Sequence, residues 1–75
     1  MLLYVVELDA PGYDVLTEAL VAAEDIPMAH ALVEAYVAKR YQHQSFFLDS
    51  DDTRFVGFAA EHIEAGVLME QTRDG

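Results

Sequence analysis

The stretch that decides the fold is DIPMAHALVEAYVAKRY, residues 25–41. Its apolar side chains recur at spacings of three and four, as on one face of an α-helix. Asp25 suits the N-cap, because its carboxylate can accept from the first free backbone N–H groups. Pro27 falls in the first turn, where its missing N–H costs little, and basic residues near the end oppose the negative end of the helix dipole. The sequence therefore predicts one amphipathic helix over residues 26–41.

Apolar runs before this helix predict two β-strands. Residues 2–8 are rich in leucine, β-branched and aromatic side chains, and every second one shares a face of the strand. Residues 15–23 fit one face of a strand but also a helical stripe. A strand is preferred, because the Pro11-Gly12 turn that precedes them suits a hairpin.

Three more strands are predicted after the helix. They cover residues 46–48, 54–58 and 63–71, and the first two form a second hairpin across an acidic turn at residues 49–53. Residues 72–75 are predicted to be a frayed tail. The resulting order, ββαβββ, gives an α+β two-layer sandwich in which one helix covers one face of a mostly antiparallel sheet. The whole chain is expected to form one small domain.

The cysteine count and the termini bear on the compartment. The chain contains no cysteine, which excludes disulfides, thiolate metal sites and a cysteine nucleophile. A small domain without disulfides fits a reducing cytoplasm better than secretion. The N-terminal segment lacks the basic start of a signal peptide. No apolar run approaches the length of a membrane span, which is about 18 residues. We therefore expect a cytoplasmic protein.

The charge balance is the most unusual bulk property. Fourteen acidic residues face four lysines and arginines, for a formal net charge of −10. This charge would repel a phosphate backbone or an anionic membrane, so neither is expected as a direct partner. A basic protein surface is the natural electrostatic partner. The alternative interpretation is that the acidity only keeps an apolar small protein in solution.

One stretch resembles a catalytic motif. Residues 46–53 read FFLDSDDT, an apolar run followed by Asp-x-Asp-x-Thr, and are similar to the first motif of the haloacid-dehalogenase-type phosphatases. The resemblance implies Asp49 as nucleophile and Asp51 as general acid, with Mg²⁺ between carboxylate and phosphate. That family also needs later lysine and aspartate residues, whereas only Asp74 and no lysine follow here. We therefore interpret the stretch as an Asp- and Ser-rich turn, and the protein as a non-enzyme without a cofactor.

Two histidines lie near carboxylates at spacings that suit a metal or acid–base chemistry. His30 and Glu34 share one helix face, and Glu61 and Glu64 flank His62. The sequence nominates no third converging group for either set. An exposed helical pair and a surface bend are the preferred interpretations, so no catalytic or metal-binding residue is assigned.

An apolar surface for interaction is expected on the sheet. One helix covers only part of a five-strand sheet, so the second face keeps apolar side chains for self-association or a partner. Phe46 and Phe47 are adjacent and must point to opposite faces of a strand, so one of them lies outside the helix-covered core. With Phe55, Val56 or Phe58 across the predicted hairpin, it would form an apolar contact patch. The candidate interaction residues are Phe46, Phe47, Asp49, Asp51, Asp52, Phe55 and Glu64.

The functional expectation is a non-enzymatic module that binds a basic protein surface through an acidic rim and an apolar sheet face, and that forms a homodimer. A sharper hypothesis is an inhibitor or nucleic-acid-mimicking decoy. In size and charge the chain resembles small acidic phage and mobile-element proteins, including some anti-CRISPR proteins, but no motif aligns. The second hypothesis is a small-molecule or metal-binding accessory domain of a larger assembly.

Overall fold

The fold is a four-stranded antiparallel sheet with one helix on one face. The computed structural model describes residues 1–48 and 50–73. Its elements are β1 (Leu2–Glu7), β2 (Val15–Ala23), α1 (Ile26–Arg40), a 3₁₀ turn (Ser50–Asp52), β3 (Thr53–Phe58) and β4 (Gly66–Arg73). The α+β two-layer class is therefore confirmed, and so is the strand interpretation of residues 15–23.

The sheet is built outward from the β1–β2 hairpin. The strand order is β3-β1-β2-β4, and every pair of neighbours is antiparallel. The hairpin register runs from Leu2 opposite Ala23 to Glu7 opposite Glu18. The turn residue Gly12 has φ +95°, a conformation that glycine adopts without steric cost. The two strands nearest in sequence thus form the centre, and the two later strands form the edges.

The core lies between α1 and the helix-facing side of the hairpin. Alternate β1 residues are buried there, as the period-two pattern predicts. The helix contributes small or β-branched residues at spacings of four, which lets its axis lie close to the sheet. The buried cluster contains Tyr4, Val6, Leu8, Leu16, Ala19, Val21, Ala23, Ala29, Val33 and Val37.

The helix begins and ends close to the predicted positions. Asp25 Oδ1 accepts a hydrogen bond from the Met28 backbone N–H at 2.8 Å, so the N-cap prediction is confirmed. At the other end, the Tyr41 N–H donates to the Val37 carbonyl oxygen at 2.7 Å. The helix therefore ends at Arg40, one residue before the predicted end.

The predicted strand at residues 46–48 and its hairpin with residues 54–58 are wrong. Phe47 makes only an isolated bridge to Asp9, with N···O distances of 2.9 and 3.1 Å, and β3 pairs with β1 instead. The backbone pairing with Asp9 holds Phe47 just beyond the end of β1, so this segment lies at the end of the sheet and not beside β3. The predicted order ββαβββ is corrected to ββαββ.

The last strand is displaced toward the C-terminus relative to the prediction. β4 begins at Gly66 rather than residue 63, and it continues through Arg73. The Arg73 guanidinium donates to the carbonyl oxygens of Ala10 and Gly12, each at 3.0 Å, which ties the strand end to the β1–β2 loop. Thr72 and Arg73 thus lie in β4 rather than in a frayed tail, and residues 74–75 lie outside the described range.

One side-chain amide takes the place of a neighbouring strand. The Leu16 N–H donates to Gln44 Oε1, and Gln44 Nε2 donates to the Leu16 carbonyl oxygen, both at 2.8 Å. Leu16 itself is fully buried, so its backbone groups have little access to water. Gln44, in the connection that follows α1, therefore hydrogen-bonds the backbone of β2 where a neighbouring strand would otherwise do so.

No helix in residues 1–48 and 50–73 is long and apolar enough to cross a membrane.

We expect Gln44→Ala to lower the free energy of unfolding by about 1–3 kcal/mol, because it leaves two backbone groups of Leu16 without partners. Gln44→Glu keeps an acceptor for the Leu16 N–H but sets a carboxylate oxygen against the Leu16 carbonyl oxygen, so it should not restore the lost stability. Urea unfolding midpoints measure both. Gln42→Ala, an exposed position in the same connection, is the control; equal midpoints for Gln44→Ala and Gln42→Ala would contradict the assigned role.

Candidate interaction surface

The helix leaves one edge of the sheet without cover. α1 packs mainly over β2, β4 and β1. It reaches β3 through His30, whose Nε2 lies 2.7 Å from Thr53 Oγ1 at the start of that strand. Beyond Thr53, the apolar side chains Phe55, Val56 and Phe58 are all exposed. We call these three residues the aromatic edge.

The two phenylalanine rings of the aromatic edge pack on neighbouring aromatic rings. Phe55 lies opposite Tyr4 in the β1–β3 register, and the two rings pack edge-to-face with centroids 6.2 Å apart. Phe58 packs edge-to-face on Phe55 at 5.4 Å. Such pairs contribute attraction beyond the buried area alone. Phe55 nevertheless remains 54% exposed and Phe58 77% exposed, so both rings can contact another molecule.

Acidic residues lie before and after β3 along the chain. Asp51 and Asp52 lie in the 3₁₀ turn that leads into the strand, with Asp51 exposed and Asp52 half-buried. Glu61 and Glu64, both exposed, lie in the connection that follows it. The strand itself contains one charged residue, the exposed Arg54. The aromatic edge is therefore an apolar segment between two acidic segments.

The candidate residues from the sequence fall into different surroundings. Phe55, Asp51, Asp52 and Glu64 lie in or beside β3, as described above. Phe46 is half-buried and packs against the core, whereas its neighbour Phe47 is 76% exposed beside Asp9. Asp49 lies outside the described residues. The candidates thus share the region around β3, except that Phe46 belongs to the core.

Sequence reasoning gave Val56 and Phe58 only as alternatives to Phe55 in an apolar contact patch and did not assign them to the site. Alternation of side chains along a strand predicts which face of the sheet Phe58 lies on, but it does not predict which strands lie beside β3. The missing information was the edge position of β3, which follows from its pairing with β1. If β3 had formed the predicted hairpin with residues 46–48, the side of β3 away from β1 would have been paired.

The sheet face opposite the helix carries a shallow groove. Val5, Leu20 and Met69 lie side by side in the register of β1, β2 and β4, and Glu18 and Gln71 line the groove with them. Its volume is about 210 Å³, below the roughly 300–1,000 Å³ of typical small-molecule sites. We call this surface the open face; Met69 is its most exposed apolar side chain.

His30 contacts the sheet, whereas the set around His62 lies in an exposed connection. The half-buried His30 contacts Thr53 as described above, and its predicted neighbour Glu34 is exposed. Glu61, His62 and Glu64 are exposed in the connection between β3 and β4. Across residues 1–48 and 50–73, no group of three or more histidine, aspartate or glutamate side chains is arranged to hold a metal ion.

A carboxylate between two tyrosines joins the helix to β4. The hydroxyls of Tyr36 and Tyr41 donate to the Glu70 carboxylate at 2.5 and 3.2 Å, and the Arg40 guanidinium lies 5.2 Å from the Tyr36 ring centroid. The hydrogen bond to Glu70 is the main cause that raises the pKa of Tyr36, whereas burial is the main cause for the raised pKa of Tyr41. Sequence spacing did not reveal this cluster, because Glu70 comes from a strand about thirty residues later in the chain.

Comparisons with known proteins give no relative for this chain: no family model, no curated protein and no solved structure matches it.

The tyrosine cluster should contribute stability that is lost at alkaline pH. Both phenol pKa values are raised in the folded state, so the stabilisation is complete below the ordinary tyrosine pKa of about 10 and is lost as the pH rises through the raised values. Glu70→Gln removes the carboxylate charge. We expect it to lower the pKa of Tyr36 more than that of Tyr41, because only for Tyr36 is the bond to Glu70 the leading cause.

Phenolate absorbance followed against pH measures these values, with Tyr36→Phe and Tyr41→Phe assigning each step. Glu18→Gln, which removes a carboxylate from the opposite face, is the control and should leave both steps in place. An unchanged titration of Tyr36 in Glu70→Gln would contradict the assigned cause.

Proposed function

We propose that this protein is a non-enzymatic interaction module that binds another protein with a basic surface. The observation that carries the proposal is the aromatic edge: Phe55 and Phe58 are held by ring packing yet largely exposed, between acidic segments on both sides. Aromatic anchors surrounded by polar residues are the usual composition of a binding hot spot. Apolar contact would supply affinity, and the carboxylates would select a basic partner.

The sharper form of this proposal is a decoy that occupies a nucleic-acid-binding surface. A formal charge of −10 on 75 residues offers a basic cleft the same kind of counter-charge that phosphates offer. Such a protein would compete with nucleic acid for its target and would act in the cytoplasm. Salt would weaken this binding, because exposed charges more than about 10 Å apart are screened at 0.1 M ionic strength.

Charge reversal tests the acidic part of the surface. We expect Asp51→Lys, Asp52→Lys and Glu64→Lys together to reduce the affinity for a captured basic partner about tenfold at low salt, mainly through slower association. Affinity capture from host lysate finds the partner, and association rates measured with the purified partner quantify the effect.

A variant with equal charge change is the matched control. Glu18→Lys, Glu24→Lys and Glu34→Lys lie in β2, in the following turn and on α1, so they should reduce binding much less if the contact is at β3. Equal losses in the two variants would indicate only a general charge effect. Recovery of no basic or nucleic-acid-associated partner at low salt would contradict the decoy proposal.

A small-molecule-binding role is the second candidate, and the groove on the open face is the observation that favours it. The groove combines the apolar side chains of Val5, Leu20 and Met69 with the polar ends of Glu18 and Gln71. Its small volume limits it to a ligand smaller than most cofactors. A ligand retained in native mass spectrometry and lost in Leu20→Glu would support this role.

The homodimer predicted from the sequence would use the open face, whose half-buried and exposed apolar side chains face away from α1. We expect light scattering to give twice the monomer mass, and Met69→Glu to shift the protein toward the monomer, because a carboxylate would be buried in the interface. Tyr13→Glu, an equal change at an exposed loop residue, is the control. A monomer at high concentration would contradict the dimer.

A further inference from the structure

After Thr53, β3 forms one edge of the sheet. Within residues 1–48 and 50–73, this part of the strand pairs with β1 on one side and has no strand on the other. The outer N–H and C=O groups of such an edge form a template on which another extended chain can pair. Proteins commonly protect these edges with charged side chains, with β-bulges or with a covering helix.

The two edges of this sheet differ in that protection. β4 contains Glu70 and Arg73, and Tyr36 of α1 and the following Tyr41 reach it. β3, in contrast, carries one charged residue, Arg54, and contacts the helix at its first residue, Thr53. A register shift against β1 leaves one extra residue of β3, Val56, between Phe55 and Gly57, so a bulge interrupts this edge. The edge at β3 thus has less protection from charge and from the helix than the edge at β4, and its two phenylalanines lie on either side of the bulge.

The side chains of β3 are suited to receive an added strand. Phe55 and Phe58 lie opposite Tyr4 and Leu2 in the register, so both belong to the helix-facing side of the sheet. Alternate side chains of an added strand would point to that same side and contact the two rings. In strand addition, main-chain hydrogen bonds supply affinity and contacts with alternate side chains supply specificity.

The charges decide which chain can occupy this edge. A second copy that paired antiparallel would bring its own acidic segments alongside Asp51, Asp52 and Glu61, and like charges at close range are destabilising. A segment with apolar residues in its centre and lysine or arginine at both ends would instead meet carboxylates at both ends of β3.

We propose that β3 binds an extended, basic-ended segment of a partner protein as a fifth strand of the sheet. This inference rests on the proposed function and specifies its binding mode. The partner's backbone pairs with β3, its alternate apolar side chains pack on Phe55 and Phe58, and its terminal cations lie near the acidic segments.

The test uses two synthetic peptides and the full chain. The first is Lys-Lys-Val-Thr-Val-Thr-Val-Lys-Lys, and the second is the same peptide with an N-methyl group on every core residue. Methylation keeps charge and side chains but removes the backbone donors. We expect the first peptide to bind at least about tenfold more tightly, since several backbone hydrogen bonds are at stake. Amide hydrogen exchange should show new protection within residues 53–58.

Two variants with equal charge change locate the contact. Phe58→Lys and Leu68→Lys each replace an exposed apolar side chain on one of the two edge strands. We expect Phe58→Lys to weaken binding of the first peptide about tenfold, because it removes an aromatic contact and adds a cation that opposes the lysine ends. Leu68→Lys should retain binding, and circular dichroism checks that both variants fold.

The other outcomes separate this inference from the proposed function. Equal binding of both peptides without protection in β3 would overturn strand addition and leave an electrostatic interaction module standing. If neither peptide binds while a basic partner is still captured from lysate, strand addition is also overturned and the interaction module still stands. Protection of β3 that grows with protein concentration and without peptide would assign the edge to a second copy and overturn the proposed occupant.

Discussion

The whole structure depends on how much sheet one helix can cover. A helix is about 10–12 Å across with its side chains, and neighbouring strands lie about 4.8 Å apart, so one helix covers two to three strands. Here α1 lies over the central hairpin and extends toward β4, where Tyr36 and Tyr41 reach Glu70. The strand on the other side of β1 therefore lacks a cover for its aromatic side chains. The exposed apolar surface of β3 is a consequence of this geometry.

Contacts from distant parts of the chain hold the end of the sheet at the β1–β2 loop. Beyond the paired part of β1 and β2, backbone groups lose their strand partners, and buried backbone groups must be paired. The Gln44 side chain pairs with Leu16, the Phe47 backbone pairs with Asp9, and the Arg73 guanidinium binds the β1–β2 loop. The first two contacts fix the connection from α1 to β3. That connection in turn places an acidic turn at the start of the exposed strand.

Local patterns predicted the local structure well. The N-cap at Asp25, the helix it starts and the two strands of the hairpin follow from spacing, capping and turn chemistry, which act over a few residues. The pairing of β3 with β1 could not be obtained this way, because it depends on which strand has a free side after the hairpin forms. Phe46 and Phe47 show the same limit: alternation separates them correctly, yet their segment forms only a bridge. For the exposed aromatic residues of β3, the sequence assigned Phe55 to the candidate surface and gave Phe58 only as an alternative, because alternation does not predict which strand lies at the edge.

The position of Arg73 has a consequence for how the molecule is made. Its contacts with Ala10 and Gly12 join residues more than sixty positions apart, and β4 pairs with a strand made about fifty residues earlier. During synthesis, β1, β2 and α1 emerge first, at a time when β2 still lacks its outer neighbour. The nascent chain thus exposes one side of an apolar strand until β4 leaves the ribosome. Pairing between such distant segments is slow to form, so β4 joins the sheet late.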